Sequence, residues 1–565
     1  MPPANTPSER VIDVRDIEPR YRHQIIGRFV RELGARRSAA TDRGPSAEAA
    51  ALSIRDALRR SASMDLSGRG PRSLEGSARA RSGADRRASI VGSIQRPTFE
   101  APRSANPPKP GEEQLSGAAL SRWTMLYFAV ALLSLLAAET MMSAGVGFPA
   151  EALRAPATLV VVHLVTIGWL SLTMCGALGQ FIPVLTERPL HSNRLPLPAL
   201  ALLVTGLVAL ILGFLRLDGR VSMEVPFLSV AALLLGAGFT LVIWNLACTL
   251  WSARPLALPA RFMATGLVAV GVTATLGMIF ALVLDQAVTG SVFVRIHSGA
   301  LPIHIIAGLG GWLTITTVGV SYRLLAMFML SPDIDDARGR VTLWCAAATL
   351  GVTVAGGFAA VLAEMLLAAV LVTALVLATL ALALYGRDAL QLYRTRRRRT
   401  LELNSRLGGV ALANLALSWL LCVVLAALGR FSEYVGAVVF LSAFGWLSGF
   451  MLAQMYKIIA FLTWLEVYGP VLGKVPTPRV QDLVAERPAM RWFMLFFAGV
   501  WGATGALLAG SPPIFRIAAL AMTAATCGIV SEMMKSRRLS HVPTALRLPG
   551  NALRPMLLIA ATKQT

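Results

Sequence analysis

The chain has 565 residues, of which 55% are hydrophobic and only 15% charged, with mean hydropathy +0.62 and a formal net charge of +22. That is too apolar for a soluble multidomain protein of this size and places the chain in a membrane. The positive charge does not indicate nucleic acid: most of it lies in the first 120 residues, between apolar segments and near the C-terminus, where it suits anionic lipid headgroups and topology control.

Residues 11 to 29 read VIDVRDIEPRYRHQIIGRF: an apolar strand-like start, a turn at Pro19 and a short helix-like run. This βα opening is similar to a small domain related to the TusA/SirA sulfur-carrier fold, and Arg22 and His23 match that domain's RH pair. Where that family continues with a strand and an NDHDP-like motif, this chain runs into ARRSAATDRGP. The resemblance therefore implies a truncated domain over 1–36, and a single βα unit is too small to fold alone. Residues 37–118 are rich in Ser, Arg, Pro and Gly and poor in aromatics, so they are expected to form a disordered basic linker that binds anionic lipid headgroups. No apolar run follows the first charges, so a signal peptide is not expected and the segment is expected to stay cytoplasmic.

The membrane domain is expected over 119–536, as apolar stretches of the roughly 20 residues that a bilayer requires. The spans fall at 123–145, 157–185, 196–215, 225–250, 262–285, 300–329, 341–361, 365–386, 407–428, 434–464, 492–510 and 514–534, with only a short turn around Glu364 between the seventh and eighth. With the N-terminus inside, the cytoplasmic loops hold Arg188, Arg194, Arg254, Arg261, Arg338, Arg340, Arg387, Arg394, Arg396 to Arg399, Arg406, Lys474, Arg479, Arg487 and Arg491. The opposite loops hold only Arg154, Arg216, Arg220, Arg295, Arg430 and Arg516. This asymmetry predicts a multi-pass protein of the inner (cytoplasmic) membrane with both termini cytoplasmic, and residues 537–565 form a basic tail.

A tripeptide recurs within these spans, as Gly168-Trp169-Leu170, Gly311-Trp312-Leu313 and Gly445-Trp446-Leu447. Each copy is followed at once by Ser or Thr. Eight residues after the Gly stands a small residue (Gly176, Gly319, Ala453), and twelve after it a polar one (Gln180, Arg323, Lys457). The copies fall in the second, sixth and tenth spans, so the fold class is an all-α polytopic membrane protein of about twelve helices in three pseudo-symmetric sets of four. Small residues eight apart share a helix face and permit close approach, which makes GWL a packing notch with a Trp beside it. Arg323 and Lys457 are expected to snorkel towards the interface. All five cysteines lie in apolar segments without a CxxC pair, as buried inert thiols do.

The second span matches HxxTxGxxxxxxxGAxxQxxPVL through His163, Thr166, Gly168, Gly176, Ala177, Gln180 and Pro183-Val184-Leu185. The sixth supplies His304, Gly311, Gly319, Tyr322, Met327 and Phe328, with Ile306 where a second histidine would stand, and the tenth reads YKIIAFLTWLEVYG. Over about three quarters of its length the chain thus resembles subunit I of the haem-copper oxidases, nearest to a side branch that includes NnrS-like proteins. Full members use six histidines for two haems and a copper. This chain has His23, His191 and His541 outside the spans, only His163, His297 and His304 near the membrane, and none in the seventh or tenth span. Reduction of dioxygen or nitric oxide is therefore not expected.

Two reduced sites follow from the resemblance. One is a single haem with His163 on one side and His304 or a Met on the other; the other is a copper ion on His297 and His304, seven residues or about two turns apart. His163 lies five residues before its Gly and His304 seven, a rotation of about 200°, so the pair is not symmetric. Against both stands a histidine that only hydrogen-bonds a neighbouring helix. The reading that leads is a membrane protein of the oxidase subunit I-like fold, linked to respiratory or nitrogen-oxide stress and served by a membrane redox partner. A small-solute or ion transporter or channel built on Glu139, Gln180, Arg323 and Lys457 is the alternative, and a membrane-anchoring assembly factor a third reading.

Overall fold

The computed structural model describes residues 117–548 apart from Lys474; the βα segment, nearly all of the basic linker and the end of the basic tail lie outside the described residues. Twelve helices among the described residues are long and apolar enough to cross a bilayer. They are α1 (Trp123–Ala144), α2 (Pro156–Thr186), α3 (Pro196–Leu217), α4 (Phe227–Ser252), α5 (Leu258–Leu284), α6 (Leu301–Met329), α7 (Asp336–Leu362), α8 (Leu367–Arg394), α9 (Leu403–Ala427), α10 (Phe431–Val471), α11 (Glu486–Leu508) and α12 (Pro512–Arg537). The seventh and eighth are separate helices, divided where Glu364 takes a left-handed φ of 57°. Helical form is dictated by the solvent, since every backbone N–H and C=O in hydrocarbon must find its partner within its own segment. Prolines at the first turn of α2, α3, α5 and α12 start helices where an N–H would have gone unused.

The sets of four are visible in the packing. In each set the second helix is paired with the first: α2 on α1, α6 on α5, α10 on α9. The third and fourth pair with each other, as α3 with α4, α7 with α8 and α11 with α12. Adjacent sets join where α4 meets α5 and α12 meets α1, while α8 touches α9 over a much shorter stretch. The GWL helices are inside: 83% of an 18-residue apolar stretch of α10 is buried, against 11% of one in α8.

Each GWL copy lies in a π-helical segment, Leu164–Ser171, Ile306–Ile315 and Leu441–Ser448, and the three segments meet one another at the centre. The recurring hydroxyl explains how the wider turn is held. Ser171 donates to the Thr166 carbonyl at 2.7 Å, Thr314 to Leu309 at 2.8 Å and Ser448 to Ala443 at 2.7 Å, each five residues back. A carbonyl displaced from the α register thereby keeps a partner. The recurring glycine lets the neighbouring helix in. A Cβ on Gly168 would stand 2.7 Å from Ser134 of α1, on Gly311 2.6 Å from Ala269 of α5, and on Gly445 3.1 Å from Asn414 of α9. The packing-notch reading of GWL therefore holds in all three sets, and the tryptophans have a further task. Trp169 Nε1 donates to Ser448 Oγ at 2.8 Å and Trp312 Nε1 to Ser171 Oγ at 3.0 Å, so each indole crosses the axis to the hydroxyl of another set.

Candidate functional site

His163 and His304 both lie near the N-terminal ends of parallel inner helices, about 10 Å and about 5 Å along from the helix starts. His163 sits at the last α-helical position before the π segment of α2, with its ring 5.2 Å from that of Phe214 in α3. Its Nδ1 lies 2.8 Å from the Leu159 carbonyl. The Nδ1 of His304 lies 3.1 Å from the Thr273 carbonyl of α5, and its ring rests over Gly277, where a Cβ would stand 3.3 Å from Cε1. A carbonyl can only accept, so in both residues Nδ1 carries the proton, and in the neutral ring the lone pair sits on Nε2. Neither Nε2 has a hydrogen-bond partner among the described residues. Anchoring one ring nitrogen on a backbone carbonyl is how proteins fix the tautomer and aim of a ligating histidine.

The continuous helix that the His297–His304 spacing suggested is not present. His297 belongs to a short helix, Ser291–Gly299, which ends before α6; at Ala300 the backbone departs from helix (φ −91°, ψ 6°) and Pro302 opens the next segment. Two turns of continuous helix therefore do not connect His297 to His304. Phe280 of α5 also packs against both rings, at 5.7 Å and 5.4 Å between centroids. Among the described residues no three His, Cys, Asp or Glu side chains converge as a metal-ligand group.

The polar residues twelve after each repeat glycine have three different fates. Gln180 Nε2 donates to Thr124 Oγ1 of α1 at 2.8 Å. Arg323 pairs with Asp333 at 3.5 Å while about a third exposed, as a snorkelling side chain does. Lys457 does not snorkel: its Nζ is 2.8 Å from Glu402, the residue before α9, and both side chains are largely buried. Arg398 pairs with the same carboxylate. Burial acts to raise the Glu402 pKa, but Lys457 and Arg398 outweigh it and hold the carboxyl below its ordinary range.

Three further buried polar groups stand out. Glu139 of α1 is fully buried, accepts from Thr526 of α12 at 3.0 Å through Oε1, and leaves Oε2 without a hydrogen-bond partner. Sequence reading singled out Glu139 but not Thr526, which lies 387 positions later. Asp388 of α8 accepts from Tyr322 of α6 at 2.9 Å, beside a 2.6 Å bond between Ser321 and Tyr385. Glu466 of α10 pairs with Arg537 of α12, which also reaches Thr463. Asp388 and Glu466 were missed because each lies near the end of its span, where a charge on an apolar helix ordinarily faces water. Of the cysteines only Cys175 is fully buried, and Cys527 is exposed, so the uniform burial expected of them does not hold. No protein-family model matches the chain, and no curated protein matches it.

Proposed function

We propose that this polytopic membrane protein is a reduced form of the oxidase subunit I-like scaffold, in which His163 and His304 hold one haem or one copper ion in a role tied to respiratory or nitrogen-oxide stress. The observation that carries the reading is the anchoring of the two imidazoles: both rings are fixed through Nδ1 on a backbone carbonyl, and both leave Nε2 without a hydrogen-bond partner among the described residues. Two neutral imidazoles in a low-dielectric bundle suit copper and haem iron alike. The full six-histidine set, and with it a binuclear centre, does not fit, because α7 and α10 carry no histidine. A bound group would supply one-electron chemistry; the chain's own contribution is to orient the imidazoles and keep water away from them.

The test is an oxidised-minus-reduced optical spectrum, with metal analysis, of protein purified after expression with haem and copper available. A Soret band or one copper per chain supports the reading; neither in the wild type overturns it. A second reading, a solute or ion transporter, draws on the half-satisfied carboxyl of Glu139. Proteoliposome flux abolished by Glu139→Gln would favour it.

A further inference from the structure

The outer surface between α1 and α12 carries a groove of about 320 Å³. Leu136 of α1 forms one wall, and Cys527, Val530, Ser531 and Met534 of α12 form the other. Its upper end is lined by Lys535 and Arg538. The residues on α12 recur at three- and four-residue steps and so line one face of the helix. From position 527 to 538 the rise is about 16 Å, close to half of the roughly 30 Å hydrocarbon thickness. The groove is therefore one leaflet deep, apolar at the level of the bilayer centre and cationic at the level of the headgroups.

The charges at that upper end do not cancel. Lys535 donates to Glu532 at 2.7 Å, and Glu532 is itself buried beneath it, 3.6 Å from His541. Arg537 is buried against Glu466 and is not available. Arg538 is exposed and makes no side-chain pair among the described residues. One guanidinium thus stands over an apolar slot, with Lys535 lining the same end and Ser531 lower in the wall.

We propose that this groove binds one anionic glycerophospholipid, with an acyl chain along Leu136, Val530 and Met534 and the headgroup phosphate on Arg538 and Lys535. An isolated phosphate ion would use only the top of the site; the depth and apolar lining call for a chain as well. The proposal is independent of the imidazole site.

Native mass spectrometry of the full chain in a mild non-ionic detergent tests it, with phosphatidylglycerol, phosphatidylcholine or inorganic phosphate added. The wild type should retain one phosphatidylglycerol, about fivefold more readily than phosphatidylcholine. Arg538→Gln, at an exposed position, should abolish that preference, and Val530→Trp should expel the lipid by filling the slot while leaving the charges in place. Undiminished retention in either variant, or equal retention of the two lipids, would overturn the proposal. Displacement of the lipid by millimolar phosphate would overturn it too, since that marks a simple anion site. Should Val530→Trp fail to fold, the Arg538→Gln comparison decides alone.

Discussion

Thr314 stands to Trp446 as Ser448 stands to Trp169 and Ser171 to Trp312, yet the buried indole N–H of Trp446 reaches no acceptor. The three π-helical segments therefore form a ring of indole-to-hydroxyl bonds that is closed at two junctions and open at the third, between α10 and α6. The same two sets also share the slighter outer contact, where α8 meets α9. The threefold pattern is thus real in construction but unequal in strength.

This asymmetry predicts a graded mutational response. Ser171→Ala and Ser448→Ala each remove a hydroxyl that caps a carbonyl and also orphan a buried indole, which costs about 1–3 kcal/mol beyond the lost cap. Thr314→Ala removes the same kind of cap but orphans no indole. Thermal unfolding in detergent should rank Thr314→Ala as clearly milder than the two serine variants; equal losses would mean that the indole bonds contribute little.

Glycine at the second recurring position is required in two sets and absent from the third. A Cβ at Gly319 would meet the Phe262 Cβ at 2.5 Å and the Pro259 carbonyl at 3.0 Å, and one at Gly176 would meet the Tyr127 Cβ at 2.8 Å. Backbone and Cβ atoms cannot swing aside, so Gly319→Ala should destabilise by about 1–3 kcal/mol through overpacking. Ala453, fully buried at the equivalent place, already carries its methyl. Ala453→Gly should lower the melting temperature by loosening that contact, so the two substitutions run in opposite chemical directions to the same outcome.

What could be read from the sequence follows from which signals are local. Span number and the GWL repeat are written in hydropathy and spacing, and both carry through to the helices and their grouping. The π register is not, because an apolar run reports that a helix is buried but not how tightly it is wound; the Ser or Thr after each GWL was visible, its bond five residues back was not. Partners across the axis are separated by 279 and 141 positions, so nothing near Trp169 or Trp312 names its acceptor. The same holds for His304, whose anchor is a carbonyl 31 positions earlier on another helix. For Lys457, the sequence of α10 shows a cation near a helix end, and only packing reveals that Glu402 arrives there first.

That ion pair gives a pH dependence of defined sign. Burial raises the Glu402 pKa, but Lys457 and Arg398 bring it below the usual glutamate value of 4.5. A folded-state pKa below the unfolded one means that the stabilisation is fully present above about pH 4.5 and is lost as pH falls through the lower folded value. Melting temperatures recorded from pH 7 down to pH 3 should therefore drop in this acid range by more for the wild type than for Glu402→Gln, which has no carboxylate to protonate. Parallel curves for the two proteins would show that the pair adds nothing to stability.

If His163 and His304 share one group, their removal cannot be additive. Loss of either residue would leave a single imidazole, which would hold a copper ion or a haem only weakly. His163→Ala and His304→Ala should each remove most of the bound group or shift its spectrum fully, and the double variant should add little further. His297→Ala should leave the spectrum unchanged if the group rests on the pair alone, since the helix break at Ala300 removes the continuous two-turn spacing that would have set His297 beside His304 as a ligand. Independent, additive losses from His163→Ala and His304→Ala would instead mark two unrelated sites, and a loss on His297→Ala would return the third histidine to the ligand set.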